Sequence, residues 1–122
     1  EADFNEQLRL LGYQLDQQAE DLSITLYWQP LQVLDADYVA FLHLLDGSGN
    51  LAAQVDQAPN SLYPTSWWAP GEIVRQVVSL SLSGLAPGNY HLTSGLYDPI
   101  TLDRLPLSEG GDSFTLTAIE ID

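Results

Sequence analysis

From Leu22 to Gln29 apolar and polar side chains alternate without a break, Leu22, Ile24, Leu26 and Trp28 against Ser23, Thr25, Tyr27 and Gln29. The same period of two returns at Val74, Gln76, Val78, Leu80 and Leu82. Successive side chains of a strand point to opposite faces, so such a run buries one face cleanly as a strand and scatters its apolar residues if wound into a helix. No sustained i, i+3, i+4, i+7 stripe competes with it along the chain. The expected fold class is therefore all-β, with helices minor.

Further strands follow from the same reasoning. Arg9 to Leu15 is expected to place Leu11, Tyr13 and Leu15 on one face. Tyr38 to Leu45 is apolar on both faces apart from His43, as a central strand would be. It ends in Asp46-Gly47-Ser48-Gly49-Asn50, rich in residues that tolerate positive φ, so Leu51 to Asp56 is expected to return as its hairpin partner. After Leu85-Ala86-Pro87-Gly88-Asn89, a tyrosine opens a strand running to about Tyr97. A tyrosine so placed fits the corner of immunoglobulin-like sandwiches, where its hydroxyl bonds back to upstream backbone, so Tyr90 is expected to be structural. Asp98 to Leu107 reads as a loop or short strand, and Ser113 to Ile121 closes the sheet. About seven or eight strands at this spacing suit an immunoglobulin-like or fibronectin-III-like antiparallel sandwich of two sheets. No internal repeat or linker divides residues 1–122, which are read as one β-sandwich domain.

Composition narrows function by exclusion. Seventeen acidic residues face three arginines and no lysine, a formal net charge of -14, which repels a phosphate backbone and excludes nucleic acid as a partner. Most of that charge reads as a solvated acidic surface. No cysteine is present, which removes disulfides, thiolate chemistry and zinc-thiolate sites together. No apolar run approaches the ~20 residues of a membrane-spanning helix, so any membrane region is expected elsewhere in a longer chain. The chain also lacks methionine and opens on Glu1, as a fragment of a longer protein would.

Catalytic patterns are weak. Both histidines fall within strand patterns and no Gly-x-Ser-x-Gly turn accompanies them, so no serine triad is expected. His43, between Phe41-Leu42 and Leu44-Leu45, reads as a hydrogen-bonded core histidine, and His91 as solvent-facing. Asp46 to Asn50 resembles a calcium loop only superficially, because Gln57 stands at the twelfth position, where a bidentate Glu is needed. Asp35-Ala36-Asp37 reads as a turn. The seventeen acids single out no pair for glycoside hydrolysis. No catalytic residue, metal site or cofactor is expected, and a hydrolase is the remote alternative.

Within the proline-punctuated connection 57–71, the most informative stretch is Tyr63 to Trp68, which carries Tyr63, Trp67 and Trp68. Exposed aromatic faces stack on sugar rings while carboxylates bond to hydroxyls. A ligand site would then use Tyr63, Trp67 and Trp68 for stacking, with Asp56 and Asp98 as acceptors. The competing expectation is that at least one tryptophan folds back to plug the end of the sandwich.

Several strings, in order over nearly the whole chain, carry a resemblance: Leu26-Tyr27-Trp28-Gln29; Phe41-Leu42-His43-Leu44-Leu45-Asp46 with Gly49; Gln54-Val55-Asp56 with Pro59; Pro64-Thr65-Ser66-Trp67; Pro70-Gly71-Glu72; Pro87-Gly88-Asn89-Tyr90; Gly95-Leu96-Tyr97-Asp98 with Arg104-Leu105. Together they resemble the C-terminal β-sandwich domain of bacterial multi-spanning membrane proteins that are glycosyltransferase-like, of the dolichyl-phosphate-mannose protein mannosyltransferase type. The resemblance implies a non-catalytic accessory domain, extracytoplasmic and tethered to the cell membrane, with no catalytic residues to carry over. The expected function is recognition of a glycan or protein partner; the alternative is a ligand-free structural spacer or oligomerisation module.

Overall fold

Eight strands and one short 3-10 turn make up the computed structural model, which describes residues 1–122: β1 (Ala2–Phe4), β2 (Leu8–Gln18), β3 (Asp21–Pro30), β4 (Val39–Leu45), β5 (Leu51–Gln57), the turn Thr65–Trp67, β6 (Val74–Ser81), β7 (Gly88–Tyr97) and β8 (Phe114–Ile121). They form two antiparallel sheets in the orders β1-β2-β3-β6 and β5-β4-β7-β8, an all-β two-sheet sandwich as the alternation predicts. The expected central strand is β4, between β5 and β7.

The strict alternation of β3 and β6 becomes the inner face of the first sheet. Leu22, Ile24, Leu26 and Trp28 are buried opposite the buried Val74, Gln76, Val78 and Leu80. Leu42 and Leu44 of β4 and Leu92 and Leu96 of β7 face them from the second sheet, completing one core cluster. Gln76 is the polar member of the inner face. It accepts from the Trp28 indole at 2.9 Å and donates to the Gln57 carbonyl at 3.1 Å, so both ends of its amide are used inside the core. That second bond ties β6 to β5 and closes one side of the sandwich. On the other side the Tyr13 hydroxyl donates to the Leu116 carbonyl at 2.6 Å, joining β2 to β8.

In β2 the expected facing is corrected. Leu10 pairs with Trp28 but Gly12 pairs with Tyr27, so Leu11 is an extra residue that shifts the phase. Leu8 and Leu10 are the core residues before this bulge, and Tyr13 and Leu15 face inward only after it. Leu11, Tyr13 and Leu15 therefore do not make one continuous buried face. β1 lies outside the expected strands, being three residues long and too short to display a period. The Tyr90 hydroxyl donates to the Ala86 carbonyl at 2.6 Å, the corner geometry expected of it.

The two ends of the sandwich differ. One carries the tight turns 19–20, 46–50 and 82–87. The other carries the longer connections 5–7, 31–38, 58–73 and 98–113. No helix is long and apolar enough to cross a membrane.

Candidate functional site

The 58–73 connection leaves the second sheet at Gln57 and enters the first at Val74, so it must cross the end of the sandwich. Buried Thr65 anchors it. The Thr65 hydroxyl donates to the Ala36 carbonyl at 2.7 Å and accepts the Tyr38 N–H at 2.8 Å, which pins this loop to 31–38. Ser66 adds a second tie, its hydroxyl and N–H both donating to Asp37. At the far end the Gly71 N–H donates to the Pro30 carbonyl at 2.8 Å with Gly71 at φ +89°, a conformation glycine adopts without strain.

These anchors separate the two tryptophans. Trp68 is 1% exposed, belongs to the core cluster and donates its indole N–H to the Tyr63 carbonyl at 2.9 Å. It is the plug, and the expectation that it stacks on a ligand is corrected. The neighbouring Trp67, on the 3-10 turn, is 66% exposed. Tyr63 is half-buried, its ring 6.3 Å from that of Trp68 and its hydroxyl bonded to Glu72. That bond to Glu72 holds the phenol above its ordinary range, with desolvation adding to it. Glu72 also accepts the Ala69 N–H at 2.7 Å, so its carboxylate is spent on the loop itself.

The two expected acceptors are engaged as well. Asp56, on exposed β5, accepts the Tyr97 hydroxyl at 2.9 Å. Burial first, and this bond second, raise the Tyr97 phenol above its usual range. Asp98 accepts the Ile100 N–H at 2.9 Å within its own loop. The Asp35-Ala36-Asp37 turn is likewise internally used, Asp35 accepting from Tyr38 at 3.1 Å and Asp37 from Ser66. Asp46 caps its own turn by accepting the Ser48 and Asn50 N–H groups, each at 2.9 Å, as a turn residue rather than a calcium ligand would. No three His, Cys, Asp or Glu side chains converge on a point that could hold a metal.

His43 departs from expectation. It sits on the outward face of the second sheet, half-buried, rather than in the core. Its ring centroid is 4.7 Å from that of Phe41, whose other side lies against Gly95 and under the Arg104 guanidinium, 4.3 Å from the ring centroid. Arg104 is held there by Asp112 at 3.2 Å. Burial, then the Arg104 charge, lowers the His43 pKa below its ordinary value, with Asp56 opposing them. His91 is exposed, as expected.

The loop end has a feature that period-based reading misses. Large aliphatic side chains stand in water at the same end as Trp67: Val33, Leu62, Ile73, Ile100 and Leu102, the last two 90% and 71% exposed. All lie in the connections of this one end, whereas the tight-turn end has Leu51 alone, at the start of β5. Aliphatic residues within Pro- and Asp-rich loop sequence, as in Asp98-Pro99-Ile100-Thr101-Leu102-Asp103, were the signal available. No hollow in the surface is lined by residues of 31–38, 58–73 or 98–103, and only a small one, about 20 Å³, lies where Leu107 and Glu109 of the 98–113 connection meet Glu1 to Asp3. A hollow of about 280 Å³ lies at the opposite end beside Glu20 and Leu82.

No protein-family model matches the chain, and no curated protein matches it significantly.

Proposed function

We propose that this is a non-catalytic recognition domain that engages a glycan or protein partner through its loop end, with Trp67 as the central contact. One observation carries the reading: the loop buries Trp68 and fixes Thr65 while leaving the adjacent indole of Trp67 66% exposed. Tryptophan is among the residues enriched where binding energy concentrates. A ligand-free spacer would put both indoles in the core, and the exposure of Trp67 weighs against it. The resemblance to the C-terminal domains of membrane glycosyltransferase-like proteins supports an extracytoplasmic, membrane-tethered accessory role.

The test is a glycan array together with NMR titration by manno- and chito-oligosaccharides and by candidate partner proteins, on wild type and Trp67→Ala. Binding that disappears in a folded Trp67→Ala variant supports the reading. Binding that survives the substitution unchanged removes Trp67 from the site.

A further inference from the structure

We infer that the loop end docks a protein surface that is apolar at its centre and basic at its rim; this rests on the recognition reading above and names the partner's chemistry. Three observations converge on it.

The first is the platform itself. The loop end that carries Trp67 also exposes Val33, Leu62, Ile73, Ile100 and Leu102, on segments that line no hollow. Small ligands are taken in concave sites, and sugars call for free hydrogen-bonding groups beside the aromatic ring. Here the nearby carboxylates of Asp35, Asp37, Glu72 and Asp98 already accept from groups within these loops. An extended apolar protein surface is the occupant that such a platform suits.

The second is charge. The connections 5–7, 31–38, 58–73 and 98–113 carry Glu6, Asp35, Asp37, Glu72, Asp98, Asp103, Glu109 and Asp112 against one cation, Arg104, which Asp112 already pairs. Two copies meeting end to end would set these carboxylates against each other, which disfavours self-association here. Anionic lipid is repelled for the same reason. Arginine or lysine around an apolar groove would complement them, speeding encounter and fixing orientation.

The third is strain. Leu102 is held at φ +66°, a left-handed conformation unfavourable for a bulky residue. The Leu102 N–H donates to the Asp98 carbonyl at 2.7 Å and the Asp98 N–H to the Asp103 carbonyl at 2.9 Å, closing the loop on itself. The result is a hydrogen-bonded tip with Ile100 and Leu102 turned to solvent. Strain of this kind persists where surrounding structure over-determines it, and it gathers at ligand clamps.

The experiment uses four probes on the chain: an amphipathic peptide with leucine and tryptophan on one face and arginine on the other, the same peptide with glutamate replacing arginine, phosphatidylcholine vesicles, and a manno-oligosaccharide. Backbone NMR shifts report where each binds. The arginine peptide is expected to give saturable shifts confined to the loop end, to bind about tenfold more tightly than the glutamate peptide, and to weaken with salt. Trp67→Ala and Leu102→Gly should each weaken it about tenfold, and the paired Glu6→Gln and Asp103→Asn changes should flatten the salt dependence. Equal binding of the two peptides, or shifts centred on the tight-turn end or the sheet faces, overturns the inference. If the oligosaccharide alone shifts the loop end, the recognition reading stands and this partner class falls; if vesicles alone shift it, both fall. If no probe shifts it, both fall.

Discussion

The indole N–H of Trp28 donates to the side-chain oxygen of Gln76 at 2.9 Å in the centre of the core, and the same amide donates onward to the Gln57 carbonyl of the facing sheet. An alternating strand would ordinarily place an aliphatic residue at position 76. Gln76→Leu keeps the volume but strands a buried N–H and a carbonyl, and is expected to cost about 1–3 kcal/mol in denaturant unfolding. In a double-mutant cycle with Trp28→Phe the two losses should be non-additive by about 0.5–3 kcal/mol. Additive losses would mean the two side chains do not depend on each other.

Gly95 is a glycine because Phe41 lies on it. A Cβ there would come within 2.5 Å of the Phe41 Cε2 and 2.8 Å of the Asp112 carbonyl oxygen. Gly95→Ala should therefore displace the ring from beneath Arg104 and destabilise the domain by about 1–3 kcal/mol. Adding Phe41→Leu should restore part of the loss and not all, since the Asp112 carbonyl still blocks the site. A Gly95→Ala variant as stable as wild type would contradict the packing described.

The environment of His43 sets a pH dependence whose sign is fixed. Burial and Arg104 lower its folded-state pKa below the ordinary 6.5, so the unfolded chain takes up the proton first. The stabilising contribution of neutral His43 is fully present above pH 6.5 and falls away as the pH drops from there toward the lowered folded value. An NMR titration of the His43 ring should give a midpoint below 6.5, moved further down by Asp56→Asn and upward by Arg104→Gln. A midpoint at or above 6.5 would contradict this environment.

Leu102 offers a separation of stability from binding. Replacing it with glycine removes the side chain but also relieves the left-handed backbone, worth about 1–2 kcal/mol for an ordinary residue. Its side chain is mostly in solvent, so little packing is lost. Leu102→Gly is therefore expected to unfold at the same or a higher denaturant concentration than wild type, even as binding at the loop end declines. A clear loss of stability would show that the side chain is needed for packing.

Much of the fold was legible because its main strands obey a simple period. The alternation of Leu22 to Gln29 and of Val74 to Leu80 maps directly onto paired inner faces, and Tyr90 makes the corner bond its setting implies. What escaped was whatever interrupts the period. One extra residue at Leu11 reverses the facing of half a strand, and β1 is too short to show any period. His43 was read as a core residue because its neighbours are apolar, but Phe41 and His43 share the outward face of β4, with Arg104 over the Phe41 ring. In the 58–73 connection, sequence did not separate Trp67 from Trp68. Adjacent residues on a 3-10 turn leave in different directions, and the bonds that orient them come from Ala36, Asp37 and Tyr38, distant in the chain. Asp56 and Asp98 looked free in sequence because nothing there reveals that Tyr97 and Ile100 occupy them.

The central claim is that Trp67 is held out for a partner while Trp68 holds the fold. Its most direct test is the unfolding free energy of Trp67→Ala, measured beside Trp68→Ala. Trp67→Ala should lie within about 0.5 kcal/mol of wild type, as a surface change does, while Trp68→Ala loses about 3–5 kcal/mol. A loss of about 2 kcal/mol or more on Trp67→Ala would mean that this indole also packs as part of the plug, and would contradict the assignment of the loop end as a recognition surface.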